Sequence, residues 1–198
     1  MPSRMTGCAQ VVGSSGSTPV AFQRIARAAS ASIATSIPVL RPVLERGWFV
    51  YTLATDAVPA HLPNPVDTAG PRRLANSWGA ARPGGRRHEG IDIFASKGTP
   101  VVSTTRGILT RLGTNRLGGQ IVGVLGPGLE WHYYAHLDRF GIFREGDIVQ
   151  AGDVLGYVGN TGNARGTPSH LHYAIYRDGA KNPYPRLTRG HAQSPITE

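Results

Sequence analysis

Beyond about residue 70 the chain is built from short β-forming runs cut at close intervals by turn signals. Thr99 to Ser103, Gln120 to Leu125, Trp131 to Leu137 and His170 to Tyr176 are the clearest runs. Between and around them stand Lys97-Gly98, Arg106-Gly107, Leu117-Gly118-Gly119, Gly126-Pro127-Gly128, Glu145-Gly146-Asp147, Ala151-Gly152-Asp153 and Asp178-Gly179. That spacing predicts an all-β domain, an antiparallel partly open barrel or sandwich. The earlier part reads differently. Phe22, Ile25, Ala29, Ile33 and Ile37 recur at helical spacing and predict one amphipathic helix over about residues 20 to 36, which Pro38 and Pro42 would end. Pro59, Pro63, Pro65 and Pro71 mark residues 57–71 as an extended linker. The expected organisation is a helical or irregular N-terminal extension and linker over 1–71, a β domain over 72–186 and a tail over 187–198. The β domain is expected to fold without the first 70 residues.

Composition narrows the function classes. A chain of 198 residues with 26 Gly and 15 Pro suits one domain of short strands plus an extension. Cys8 is the single cysteine, so a Cys-rich metal site and an intrachain disulfide are excluded. No run of eighteen apolar residues occurs, and no transmembrane helix is expected. Neither the short segment before Gly7-Cys8 nor the polar Ala/Ser/Ile run after Arg24 makes a clear export signal. Residues 71–198 hold 16 basic and 9 acidic side chains, so most of the net charge of +9 lies there. A basic surface suits an anionic polymer. Nucleic acid would qualify on charge alone, but no nucleic-acid motif is present.

The chemistry concentrates in His88-Glu89-Gly90-Ile91-Asp92 and His170-Leu171-His172. Alternating residues of a strand share a face, so His170 and His172 point the same way. Residues four apart also share a face, which pairs His88 with Asp92. Gly90 lies between them, where a missing side chain leaves room for a metal. Imidazole and carboxylate suit zinc, and a catalytic zinc takes three protein ligands and keeps the fourth position for water. His88-Glu89 opens like the helical H-E-x-x-H motif, but the fifth residue is Asp92 and Gly90 weakens a helix. On a strand Glu89 faces away from the metal. In Trp131 to Leu137, strict alternation puts His132, Tyr134 and His136 on one face. Trp131, Tyr133, Ala135 and Leu137 fall on the other, which looks like core. His136 is then a candidate to touch substrate or water, with His132 a hydrogen-bonded neighbour. Arg86 and Arg87, beside His88, and Tyr134 are candidate substrate contacts. His61 and His191 match no motif and read as surface residues.

Taken in order, these pieces resemble the lysostaphin-like zinc metallopeptidases, peptidase family M23. The matching stretches are Arg87 to Ile93, Gly98-Thr99-Pro100-Val101, Tyr134-Ala135-His136-Leu137, Gly152 to Gly156, Gly159-Asn160-Thr161-Gly162 and Ser169 to Tyr173. The resemblance implies one zinc per chain, bound by His88, Asp92 and His172. It implies that His136 and His170 flank the catalytic water, as general base or proton shuttle and as stabiliser of the oxyanion. It further implies hydrolysis of peptide cross-links or stem peptides of peptidoglycan in the bacterial cell envelope, periplasmic or extracellular. The alternative it carries is a non-catalytic module that binds cell wall or activates a partner amidase.

Overall fold

A computed structural model of the chain describes residues 41–66 and 74–189. The helix expected over 20–36 and His191 lie outside the described residues. The chain divides into two compact units, Met1–Gly47 and Trp48–Glu198. A helix, α1, runs over Arg41–Thr55 and crosses that division. Pro42, read from sequence as a stop, sits in its first turn, where a missing amide proton breaks no helical hydrogen bond.

Among the described residues, the second unit carries eleven strands, all paired antiparallel. β1 (Ala81–Arg82) and β2 (Arg86–Arg87) form a small hairpin. The other nine are β3 (Ile91–Phe94), β4 (Pro100–Val102), β5 (Gly107–Asn115), β6 (Gly119–Leu125), β7 (Trp131–Phe140), β8 (Ile148–Val149), β9 (Val154–Val158), β10 (His170–Tyr176) and β11 (Ala180–Lys181). They make one open sheet in the order β11-β10-β7-β6-β5-β8, with β3 on β10 and β4 joined to β7 through β9. A final helix, α2, spans Tyr184–Arg189. The predicted run His170 to Tyr176 coincides with β10, and the expected antiparallel, open all-β architecture is observed.

One turn device is used twice on the way into β8 and β9. Asp147 accepts the Arg144 amide at 2.7 Å, and six residues on Asp153 accepts the Gln150 amide at 2.8 Å. Gly146 and Gly152 supply the left-handed residue each turn needs (φ 92° and 94°).

The core is formed by Ile91, Ile93, Val101, Leu109, Val122, Val124, Leu137, Leu155, Val158, Leu171 and Ile175. Leu62 and Val66 belong to it as well. The Pro-rich stretch read as a linker is laid against the sheet. Val66 bridges Val101, the Pro65 carbonyl accepts the Val102 amide at 2.8 Å, and the Leu62 amide donates to the Arg186 carbonyl at 3.1 Å. Prolines have no amide to leave unsatisfied, so such a segment can serve as a sheet edge.

A polar knot sits inside this core. Thr104 Oγ1 lies 2.9 Å from the Tyr134 hydroxyl and 2.8 Å from that of Tyr173, and the Tyr173 hydroxyl lies 2.8 Å from His132 Nδ1. All four side chains are buried, and their hydrogen bonds tie β7 and β10 to the β4–β5 connection, with His132 Nε2 left without a hydrogen-bond partner among the described residues.

Candidate active site

β7 deforms where the site is built. Gln120 pairs with Leu137 but Val122 pairs with Tyr134, so β7 carries one extra residue opposite β6. This is a β-bulge, and His136 within it has φ 64°, a left-handed conformation that His tolerates better than most side chains. The strict alternation expected over 131–137 therefore breaks. Tyr134 and His132 face the core, whereas Trp131 and Tyr133 lie on the half-exposed side. This corrects the face assignment of that strand. Tyr134, expected as a substrate contact, is fully buried and its hydroxyl accepts the Thr104 amide at 2.9 Å. The bulge takes His136 out of the core and sets its ring beside those of His170 and His172.

Register brings the remaining groups together. His172 on β10 pairs with Asp92 on β3 and with Ala135 on β7. His88 Nε2 lies 2.9 Å from His172 Nδ1, and Asp92 Oδ1 is 3.2 Å from both nitrogens. These three are the group of metal-ligand side chains that converges among the described residues. The His136 ring centroid is 5.0 Å from that of His170 and 5.9 Å from that of His172. His170 Nε2 is 3.9 Å from Asp92 Oδ1. Gly90 makes the space anticipated, but the His172 ring uses it: an added Cβ would sit 2.7 Å from its Cε1.

Backbone carbonyls fix the tautomers. His88 Nδ1 donates to the Ser77 carbonyl at 2.8 Å, His136 Nδ1 to Thr161 at 2.9 Å and His170 Nδ1 to Pro168 at 2.9 Å. A carbonyl only accepts, so each neutral ring keeps its proton on Nδ1 and leaves a lone pair on Nε2. Ser77 also accepts the Asp92 amide on its hydroxyl at 2.9 Å, so one serine braces two site residues.

Electrostatics favour an ionised Asp92 and neutral rings at His136 and His172. Burial alone would raise the Asp92 pKa, but hydrogen bonds from His172, His88 and Arg82 hold it far below the usual carboxylate range. Burial lowers His172. His136 is pushed down to about 4, by burial first and then by the charges of His170 and His172.

The donor set fits zinc. Ligand atoms about 2.0–2.1 Å from a tetrahedral zinc stand roughly 3.3 Å apart, and the three observed separations are 2.9, 3.2 and 3.2 Å. The carbonyl brace on His88 is of the kind that orients metal-binding histidines.

Sequence reasoning missed Arg82, Ser77, Tyr133 and Phe94. Arg82 Nη2 pairs with Asp92 Oδ2 across the β1–β2 hairpin. The neighbouring Arg86 and Arg87 are exposed, and they donate to the Pro83 and Gly79 carbonyls at 3.3 and 3.2 Å. Phe94 is half-exposed, 5.2 Å from the His170 ring, and Tyr133 stands edge-on to His172 at 6.0 Å. Glu89 is exposed and His61 also faces solvent, as expected.

Residues 86–183 match Peptidase family M23. The chain is 44% identical over 126 residues to the L-Ala–D-Glu endopeptidase of Bacillus subtilis (strain 168), covering 57% of this chain and 38% of that one. It matches the structure of the catalytic domain of the antimicrobial peptidase lysostaphin from Staphylococcus simulans with TM-score 0.53 and 30% identity, over 58% of this chain and 91% of that domain. A zinc containing peptidase from Vibrio cholerae matches with TM-score 0.53 and 26% identity, over 64% of this chain and 39% of that one. The chain belongs to peptidase family M23. It spans less than two fifths of the length of its Bacillus relative.

Proposed function

We propose that this protein is a zinc-dependent endopeptidase that hydrolyses stem peptides or peptide cross-links of bacterial peptidoglycan, acting in the cell envelope. The observation that carries the reading is the convergence of His88 Nε2, His172 Nδ1 and Asp92 Oδ1 within 3.2 Å of one another, beside His136 and His170. The names of its relatives supply the substrate class: an L-Ala–D-Glu endopeptidase and lysostaphin.

His88, Asp92 and His172 would hold one zinc ion. When bound it supplies Lewis-acid polarisation of the scissile carbonyl and activation of water. With Nδ1–H donated to the Thr161 and Pro168 carbonyls, the rings of His136 and His170 each leave Nε2 as the nitrogen that can take up a proton. One accepts the proton of the attacking water, and a protonated ring then donates to the leaving amine. The other can donate from Nε2 to the oxygen that gains charge in the tetrahedral transition state only in its protonated form, since its Nδ1–H is held by a backbone carbonyl. Tyr133 and Phe94 set their rings against those of His172 and His170.

Elemental analysis of purified protein, paired with digestion of a stem-peptide mimic, tests the reading. It requires about one zinc equivalent per chain, lost in His172→Ala, and chelator-sensitive release of a new amino terminus. Zinc content unchanged in His172→Ala would remove the ligand assignment.

A further inference from the structure

Next to the site lies an open cleft of about 520 Å³, lined by Thr114, Asn115, Arg116, Gln120, Thr161 and Arg165, with Gly119 and Gly162 at its floor. Its frame is the backbone that positions the catalytic groups. The Thr161 carbonyl holds His136 Nδ1, and the Gly118 carbonyl accepts the His136 amide at 2.7 Å. Asn115 Nδ2 donates to the Tyr133 hydroxyl at 3.2 Å, and that ring abuts His172. The two loops meet closely at the floor: a Cβ on Gly119 would sit 2.2 Å from Thr161 Oγ1. Only glycine fits there.

Most polar groups of the cleft are already engaged. Asn115 Oδ1 accepts the Gly118 amide at 2.6 Å, Gln120 Nε2 donates to the Asp138 carbonyl at 2.6 Å, and Thr161 Oγ1 donates to the Leu137 carbonyl at 2.8 Å. Arg116 and Arg165 are different. Both are exposed, they approach the cleft from separate loops, and among the described residues neither guanidinium has an ion-pair partner. Among the described residues no acidic side chain lines the cleft. Two arginines without an ion-pair partner, lining one cleft, suit an anion of carboxylate shape, which arginine grips in a planar, two-pronged fashion.

We propose that Arg116 and Arg165 form a carboxylate subsite that selects peptide substrates bearing a free carboxylate near the scissile bond. The inference rests on the peptidase reading above and names the chemistry that the enzyme prefers. The carboxylate has two sources in a stem peptide, the branch of an internal acidic residue or the terminal carboxyl group.

The test uses three synthetic stem-peptide mimics: one with both carboxylates free, one with the internal carboxylate replaced by a carboxamide, and one with the terminal carboxylate so replaced. Wild-type protein is compared with Arg116→Gln, Arg165→Gln, the double variant, and Arg144→Gln as an exposed arginine outside the cleft. Zinc content and melting temperature check that each variant is intact. Amidating the recognised carboxylate is expected to lower kcat/KM by on the order of ten- to a hundredfold in the wild type. The double variant is expected to cut acid and amide at equal rates, with Arg144→Gln behaving as the wild type. The peptide whose amidation matters identifies the source. Equal cleavage of all three peptides by the wild type overturns the subsite and leaves the peptidase reading standing. A preference that survives intact in the double variant also overturns it. Cleavage of none of them, with zinc bound, overturns the peptidase reading and the subsite with it.

Discussion

The Arg82 guanidinium rests on Oδ2 of Asp92, while Oδ1 of the same carboxylate faces His88 and His172. One carboxylate is thus shared between a structural cation and the proposed metal position. The pairing leaves a single oxygen for the metal and prevents the carboxylate from rotating. Removing such an outer partner lowers metal affinity by about 10–100-fold. Arg82→Ala is expected to weaken zinc binding by that order in a competition titration with a chelator, with Arg82→Lys in between. Unchanged affinity in Arg82→Ala would make the pair a surface contact of no consequence to the metal.

Ligands and proton carriers separate by mutation. His136→Ala and His170→Ala are expected to retain most of the zinc and lose about 10²- to 10⁴-fold in kcat, whereas His88→Ala and His172→Ala lose the metal itself. Metal content and single-substrate kinetics on the same preparations check this. Loss of zinc in His170→Ala, equal to that in His172→Ala, would move His170 into the ligand set. Its Nε2 is 3.9 Å from Asp92 Oδ1, which makes it the residue on which the division turns.

Acid is expected to destabilise the metal-free protein. His132 is pulled down to about 3, by burial first and then by the charge of Arg186, and His136 to about 4. Both folded values lie below the ordinary 6.5, so below that pH the unfolded chain takes up protons that the folded chain refuses. Stability is therefore highest above about pH 6.5 and falls as pH drops toward 3. Asp92 acts in the same direction, since its depressed carboxyl favours the folded state only while ionised. His132 alone accounts for on the order of 3 kcal/mol lost by pH 4. Urea unfolding in chelator at pH 7, 5.5 and 4 measures the slope, and His132→Gln should flatten it. A curve without slope over this range would contradict the buried neutral state.

The Pro-rich stretch before the β domain gives a prediction opposite to the one its composition suggests. Leu62 is 2% and Val66 0% exposed, and both touch the core. A chain beginning near Gly70 lacks both and is expected to melt well below one beginning at Trp48. Leu62→Ala in the full chain is expected to cost about 2–5 kcal/mol. Thermal melts of the two truncated proteins decide. Equal melting temperatures would show that the segment is a dispensable cover.

How much of this was legible in the sequence depends on the reach of each signal. β10 and its two histidines were readable because alternation along a regular strand is local. The face of β7 was not, because the bulge opposite the Gln120–Val122 step, with its left-handed His136, inserts one residue into the count. Alternation predicts side-chain direction only while the ladder is unbroken. His136 was nevertheless singled out through the Tyr134 to Leu137 motif, in spite of the wrong face. Arg82 carried no sequence signal, since its link to Asp92 spans a hairpin whose turn, Pro83 to Gly85, says only that the chain reverses. α1 is not legible in the sequence, because Pro42 reads as readily as a helix terminator as it does as a first-turn residue.

Cleavage of purified sacculi tests the central claim most directly. The zinc-loaded protein is incubated with peptidoglycan, with and without chelator, and both new amino termini and new reducing sugar ends are counted. The account predicts amino termini that rise with time, vanish with chelator and return with added zinc, with no increase in reducing ends. A protein that carries zinc and sediments with the sacculi yet releases no amino termini would contradict it, and would mark the fold as a wall-binding or amidase-activating module.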